Sequence, residues 1–347
     1  MPTAAEIDRL RRRGELAQAE ALALRAHSPD EPDDVDLRVA RGRLLLARHR
    51  YTEAAELFTD DDDDRLTAWR VAALARAFRD DEAAAVATEA LTRHPDSVPL
   101  RLALGRVHLD AWRPRDALAA FTEARRLAPE DWRVLVWNAV ALANLTRLDE
   151  AKATAGEAVR RRPEVAKAHF TLGRVHAAAA EYAEARACFD AALERDPQYP
   201  DALEWRTTAL RLQHRYEEAE RAVEAALAAV PLDPRLHVEH AWVLSDRHRH
   251  DEALTAVGRA LALDPAHRWA LESRIDFLDS LGRVEEALRQ AADAAALHPS
   301  DPKFAVSAAW LHAGRTDHDL AIRYLDDASS MTPTQEWVVR SRVAVLA

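Results

Sequence analysis

The chain has 347 residues and a formal net charge of -11, from 48 Lys and Arg against 59 Asp and Glu. Such an acidic balance lacks the basic stripe that phosphates demand, which excludes nucleic acid as an expected partner. Hydrophobic residues make up 48%, Gly numbers eight, and Ala, Leu, Arg and Glu dominate; with β-branched runs missing, strands are excluded and an all-α chain is expected.

The N-terminal segment Ala4-Ala5-Glu6-Ile7-Asp8-Arg9-Leu10-Arg11 is charged and amphipathic, without the apolar core of a signal peptide. No stretch of about 18 apolar residues follows, so the expectation is a cytoplasmic protein with no membrane partner. From Pro95 a period takes over. Pro95, Pro129, Pro163, Pro197, Pro231, Pro265, Pro299 and Pro333 stand 34 residues apart without an insertion. Alanines keep the same step, from Ala83 and Ala117 through Ala185 to Ala321, and again seven residues later from Ala90 to Ala328. Small residues at fixed places let two helices approach, while Phe121 and Phe189 fill the space beside them. Each proline then ends a helix, because it has no amide hydrogen and clashes with the preceding turn.

Two helices per 34 residues, with Leu104-Gly105-Arg106-Val107-His108 and Leu172-Gly173-Arg174-Val175-His176 inside the first helix, resemble the tetratricopeptide repeat. The later pieces Ala117, Phe121, Ala124, Pro129 and Ala185, Phe189, Ala192, Pro197 fit the same pattern. The resemblance implies an all-α, right-handed superhelical solenoid of about ten helix-turn-helix repeats, whose concave face holds ligands. In chain order, residues 1–34 are a degenerate first repeat with its turn at Gly14-Glu15-Leu16. Residues 35–63 are a shortened repeat, carrying Gly42, Ala54 and Phe58, cut off by the acidic run Asp60 to Asp64. Residues 64–335 hold eight 34-residue repeats, beginning at Asp64, Val98, Trp132, Ala166, Pro200, Pro234, Arg268 and Pro302. Residues 336–347 supply a C-terminal capping helix.

In that family, positions 2, 5, 6, 9, 12 and 13 of each repeat face the groove. Trp69, Trp137 and Trp205 fall at position 6, Trp242 and Trp310 at position 9, Trp269 at position 2 and Phe170 at position 5. Tryptophan there suits a partner with apolar anchors, or it fills gaps between helices. Position 7, normally apolar, is Arg70, Asn138 and Arg206 wherever position 6 is Trp. That exchange predicts rings leaning into the core with an edge toward the groove. The alternation also implies a double-length unit of 68 residues. Arg106, Arg133, Lys167 and Arg174 put positive charge on the middle repeats, and Glu204, Glu239, Glu272, Asp276 and Asp279 put negative charge further on. This polarity could orient a bound peptide; solvated helices carry mixed charge as well. The family's carboxylate clamp is not matched: Leu102, Arg106 and Trp137 stand at its positions, Lys167 alone agrees, and Thr171 replaces its arginine.

Chemistry finds no foothold. The cluster His248-Arg249-His250-Asp251 has no helical metal spacing, Asp60 to Asp64 lacks the alternating ligands of a calcium loop, and no phosphate-binding glycine loop or nucleophile elbow occurs. Cys188, the only cysteine, forms no intrachain disulfide and is expected to be packed rather than reactive. No catalytic residue, metal, cofactor or small-molecule substrate is expected. The reading is a non-enzymatic scaffold or adaptor binding a protein or peptide segment in its concave groove. The alternative is a regulatory or accessory subunit, a peptide sensor or inhibitor, controlling an effector enzyme. The helix-turn-helix domain that related sensors carry is not expected within these 347 residues.

Overall fold

The computed structural model describes residues 3–12, 16–26, 35–48, 50–59, 63–77, 79–299 and 301–331. The predicted turn at Gly14-Glu15 and the capping helix at 336–347 lie outside them. Among the described residues there are twenty α-helices and no strand. In chain order they are α1 (Ala4–Arg12), α2 (Leu16–Ala26), α3 (Val35–Ala47), α4 (Tyr51–Leu57), α5 (Asp64–Arg76), α6 (Asp80–Arg93), α7 (Val98–Asp110), α8 (Pro114–Leu127), α9 (Trp132–Asn144) and α10 (Leu148–Arg161). There follow α11 (Ala166–Ala178), α12 (Tyr182–Arg195), α13 (Pro200–Leu212), α14 (Tyr216–Ala229), α15 (Pro234–Asp246), α16 (His250–Leu263), α17 (Arg268–Ser280), α18 (Val284–Leu297), α19 (Pro302–Gly314) and α20 (His318–Met331). They fall into two compact units, Met1–Ala179 with α1 to α11 and Ala180–Ala347 with α12 to α20. Within each unit the odd-numbered helices from α5 on pack against their neighbours in chain order and against the next odd-numbered helix.

The alanine comb is the seam of this packing. Ala83, Ala117, Ala151, Ala185, Ala219, Ala253, Ala287 and Ala321 are fully buried, and so are their partners seven residues on, from Ala90 to Ala328. The prolines work one step earlier than the expectation had it. Helices α6, α8, α10, α12, α14, α16 and α18 each stop two residues before their proline. The residue between, such as His94 (φ -124, ψ 67) or Asp196 (φ -140, ψ 92), is pushed out of helical geometry. Proline crowds the residue in front of it, so the helix is already finished when its missing amide hydrogen would matter. Part of the acidic run also does structural work: Asp63 caps α5, its carboxylate accepting from the backbone N–H of Arg65 and Leu66.

The turn inside each repeat carries its own 34-residue mark. Trp112, Thr146, Ala180, His214, His248, Gly282 and Thr316 all have left-handed φ, between 56° and 69°. Only one of the seven is the glycine that this conformation favours, and a side chain costs roughly 1–2 kcal/mol there. Thr146 (φ 58°) is β-branched, so Thr146→Gly should stabilise the chain by roughly 0.5–1 kcal/mol after the unfolded-state entropy of glycine is subtracted. Gly282 (φ 69°) has open space around a built Cβ, so Gly282→Ala should lose a similar amount through the backbone alone. Thermal melts in which both variants shift the same way would remove this account of the turn.

Candidate functional site

In unit 1 the helices α3, α5, α7, α9 and α11 line a cavity of about 640 Å³. Trp69 on α5 and Trp137 on α9 are partly buried and stand in its wall. Each lies on a phenylalanine of the preceding repeat. The Phe58 and Trp69 ring centroids are 6.4 Å apart at 27°, and those of Phe121 and Trp137 are 6.3 Å apart at 23°. On the groove side a cation covers each indole: the Arg43 guanidinium at 5.4 Å from Trp69, and Arg106 at 5.0 Å with the Lys167 Nζ at 5.5 Å from Trp137.

This layering explains the glycine of the repeat. A Cβ on Gly42 would stand 1.8 Å from the Phe58 ring, and one on Gly105 would stand 2.4 Å from Phe121. The Phe ring therefore occupies the place a side chain would take, and the next repeat's tryptophan lies over it. Gly-Arg on one first helix, Phe on the second or, for Phe58, at its C-cap, and Trp on the next first helix form one cassette. It occurs as Gly42-Arg43, Phe58, Trp69 and again as Gly105-Arg106, Phe121, Trp137. The intervening repeats put buried Ala87 and Ala155 where the cassette has Phe. Neighbouring repeats thus differ in packing, which gives the 68-residue alternation a physical basis. In unit 2, Phe189 meets Trp205 in the same way at 6.3 Å, tilted by 46°.

The cations of the cavity are not equivalent. Arg43 pairs with Asp8 at 2.6 Å, Arg65 with Asp36 at 3.0 Å and Arg133 with Asp131 at 2.6 Å. Lys167 also reaches the Phe170 ring, at 5.7 Å. Arg106 has no ion pair among the described residues; burial and the nearby Arg76 push its pKa down, while Asp110 opposes them.

Of the residues expected in the groove, Trp69, Arg106, Arg133, Trp137 and Lys167 share this cavity. Phe170 is buried and Arg174 is exposed at the end of the same unit. Arg43 and Trp132 line the cavity without having been expected there. Arg43 was readable: it follows Gly42 as Arg106 follows Gly105. In unit 2, Trp205 and Trp269 are partly buried and Trp310 is 47% exposed. Trp242 donates its Nε1–H to Ser273 Oγ at 2.9 Å, meets Phe277 edge-on and lies under Arg211 at 5.5 Å.

One groove charge has to be reassigned. Glu239, expected on the surface, is fully buried, and its Oε1 accepts from the Thr208 hydroxyl at 2.9 Å and pairs with Arg211 at 3.5 Å. Burial raises its pKa. Glu204 is pushed up to about 7 by burial against the opposing pull of Arg235. Glu272 is held by Arg268 and Lys303.

Other reactive types have structural uses. Burial and Glu184 push the Cys188 thiol up to about 11, which keeps it protonated and unreactive. Glu220, Glu224 and His240 bring ligand atoms within 4.8 Å of one another, but Arg247 and Arg249 already occupy both Glu220 oxygens. Among the described residues no helix is long and apolar enough to cross a membrane.

Stacked helix-turn-helix pairs with a groove built from their first helices define a helical-repeat protein of a fold that generally mediates protein–protein interactions. The tetratricopeptide repeat model matches residues 5–65, 102–155, 138–200, 170–234, 206–267 and 238–303. The chain belongs to the tetratricopeptide repeat family, and its helices make about ten helix-turn-helix repeats of that family's solenoid type. Yeast Tom70 resembles it in structure with a TM-score of 0.67 at 15% identity, over 99% of this chain and 80% of that one. Human IFIT1, solved as a dimer with PPP-AAAA, gives 0.59 at 13% identity over 93% and 80%. A tetratricopeptide repeat protein from Parabacteroides merdae gives 0.55 at 15% identity over 72% and 99%. At these identities the likeness is one of fold. No curated protein sequence matches the chain.

Proposed function

We propose that the chain is a non-enzymatic scaffold or adaptor that holds a segment of another protein in the groove of unit 1, and that it works in the cytoplasm. The observation that carries this reading is the pair Trp69 and Trp137, each backed by a buried phenylalanine and capped by a cation, in one cavity across five helices. Neighbouring packed helices are about 8–10 Å apart, so five of them offer a track suited to roughly ten residues of extended chain. A rigid aromatic wall anchors such a segment at low entropic cost. The sequence division into repeats at residues 34/35, 63/64 and 335/336 is retained as part of this proposal.

Peptides selected from a displayed random library on the full chain test it. Trp69→Ala with Trp137→Ala should weaken those peptides by roughly tenfold or more, since such anchors are worth 1.4 kcal/mol or above. Trp112, 89% exposed at a turn, supplies the control: Trp112→Ala should leave binding unchanged. Circular dichroism keeps the comparison among folded chains. Equal binding by the double variant would retire the groove.

A further inference from the structure

Resting on that reading of the groove, the chemistry of its occupant follows from the charges left open in it. Folded proteins rarely leave a partly buried cation without a counter-charge, because desolvation is then uncompensated. The cavity lining satisfies this rule for Arg43, Arg65 and Arg133, each of which has an aspartate within 3.0 Å. Arg106 is the exception among these arginines. It sits at the junction of two cavities, the one walled by Trp69 and Trp137 and a second lined by Arg76, Asp80 and Asp110. Its guanidinium carbon stands over Trp137, 5.0 Å from the ring centroid, and a guanidinium held over a ring keeps N–H donors for a ligand. Arg76 repels it, and Asp110 attracts it without forming an ion pair.

We propose that the groove selects a protein segment carrying an aspartate or glutamate flanked by apolar residues, with its carboxylate seated on Arg106 and its apolar neighbours against Trp69 and Trp137. Charge complementarity sets the sign of the occupant. One open arginine over the Trp137 indole matches one monovalent carboxylate. A phosphate dianion or a nucleic-acid backbone would call for several open cations, and the other three arginines are already spent on aspartates. The arrangement differs from the carboxylate clamp excluded by the sequence, since the cation stands on the first helix before the tryptophan and an indole faces it. Seating a carboxylate in this partly desolvated place gives a charge-assisted, geometrically fixed contact.

The test uses the full chain and the displayed peptide library with three receptors: wild type, Arg106→Met and Arg106→Lys. Pools selected on wild type should be enriched in Asp or Glu beside Leu, Ile or Phe. Pools selected on Arg106→Met should keep the apolar preference and lose the acidic one. An individual peptide from the wild-type pool should bind Arg106→Met roughly ten- to a hundredfold more weakly, as befits one charge-assisted hydrogen-bonded contact, and Arg106→Lys should recover part of the loss. Melting of Arg106→Met should match or exceed wild type, because an uncompensated cation is removed. A wild-type pool without acidic enrichment, or the same enrichment on Arg106→Met, overturns the proposal. So does displacement of the acidic peptide by inorganic phosphate or by single-stranded oligouridylate at low millimolar concentration. The groove reading fails separately, when Trp69→Ala with Trp137→Ala binds the selected peptides as wild type does.

Discussion

Gly105→Ala is expected to destabilise unit 1 by roughly 2–3 kcal/mol, although alanine is the better helix former by about 1 kcal/mol. The built Cβ falls 2.4 Å from Phe121 Cε1 and 2.6 Å from its Cζ. Phe121 is fully buried and lies beneath Trp137, so the ring has nowhere to go without moving the wall of the groove. Two companions isolate the cause. Gly258, on α16, has nothing within 4 Å of a built Cβ, so Gly258→Ala should instead stabilise by roughly 0.5–1 kcal/mol. Phe121→Leu added to Gly105→Ala should regain part of the loss, although Phe121→Leu alone is destabilising. Urea unfolding of the four proteins reads the signs directly. If the two glycine substitutions act alike, the ring is not what holds position 105 open.

Arg211→Met is expected to cost about 3–5 kcal/mol near neutral pH, the range for removing one partner of a buried pair. Arg211 pairs with Asp246 at 2.9 Å and with the fully buried Glu239 at 3.5 Å, and it covers Trp242. Its loss leaves Glu239 beside Asp246 with only the Thr208 hydroxyl for support. Burial already raises the Glu239 pKa above its ordinary value, so the folded state binds more protons than the unfolded one in the range between. Stability from this group therefore rises as pH falls through that range and is lost as pH rises. Without Arg211 the folded pKa climbs further, and the penalty should be largest at alkaline pH and shrink on acidification. Arg211→Met with Glu239→Gln should return close to wild type and lose the added slope. Melting curves across pH would show it; a penalty independent of pH would mean that packing of the arginine stem, not charge, was lost.

These two cases mark where reading along the chain succeeds. The 34-residue step, the helical composition and the alanine seam depend on local and repeated relations, and one period of the chain states them. A proline restricts the residue before it wherever it stands, so helix ends are legible without neighbours. The cassette was legible in pieces: Gly42-Arg43 and Gly105-Arg106 look alike, and the polar residues at position 7 rightly tilted Trp69 and Trp137 toward the core. What the pieces could not say is that the Phe ring fills the space over glycine, because that depends on how far two helices rotate against each other. Burial of Glu239 and the open charge of Arg106 are further from sequence still. Both sit on first helices at groove-type positions, and both are charged, yet one is enclosed by α13 and its Arg211 while the other lines a cavity. Periodicity places a side chain on a helix face. Only the rotamers and counter-charges of the adjacent helices decide whether that face is packed, paired or left for a partner.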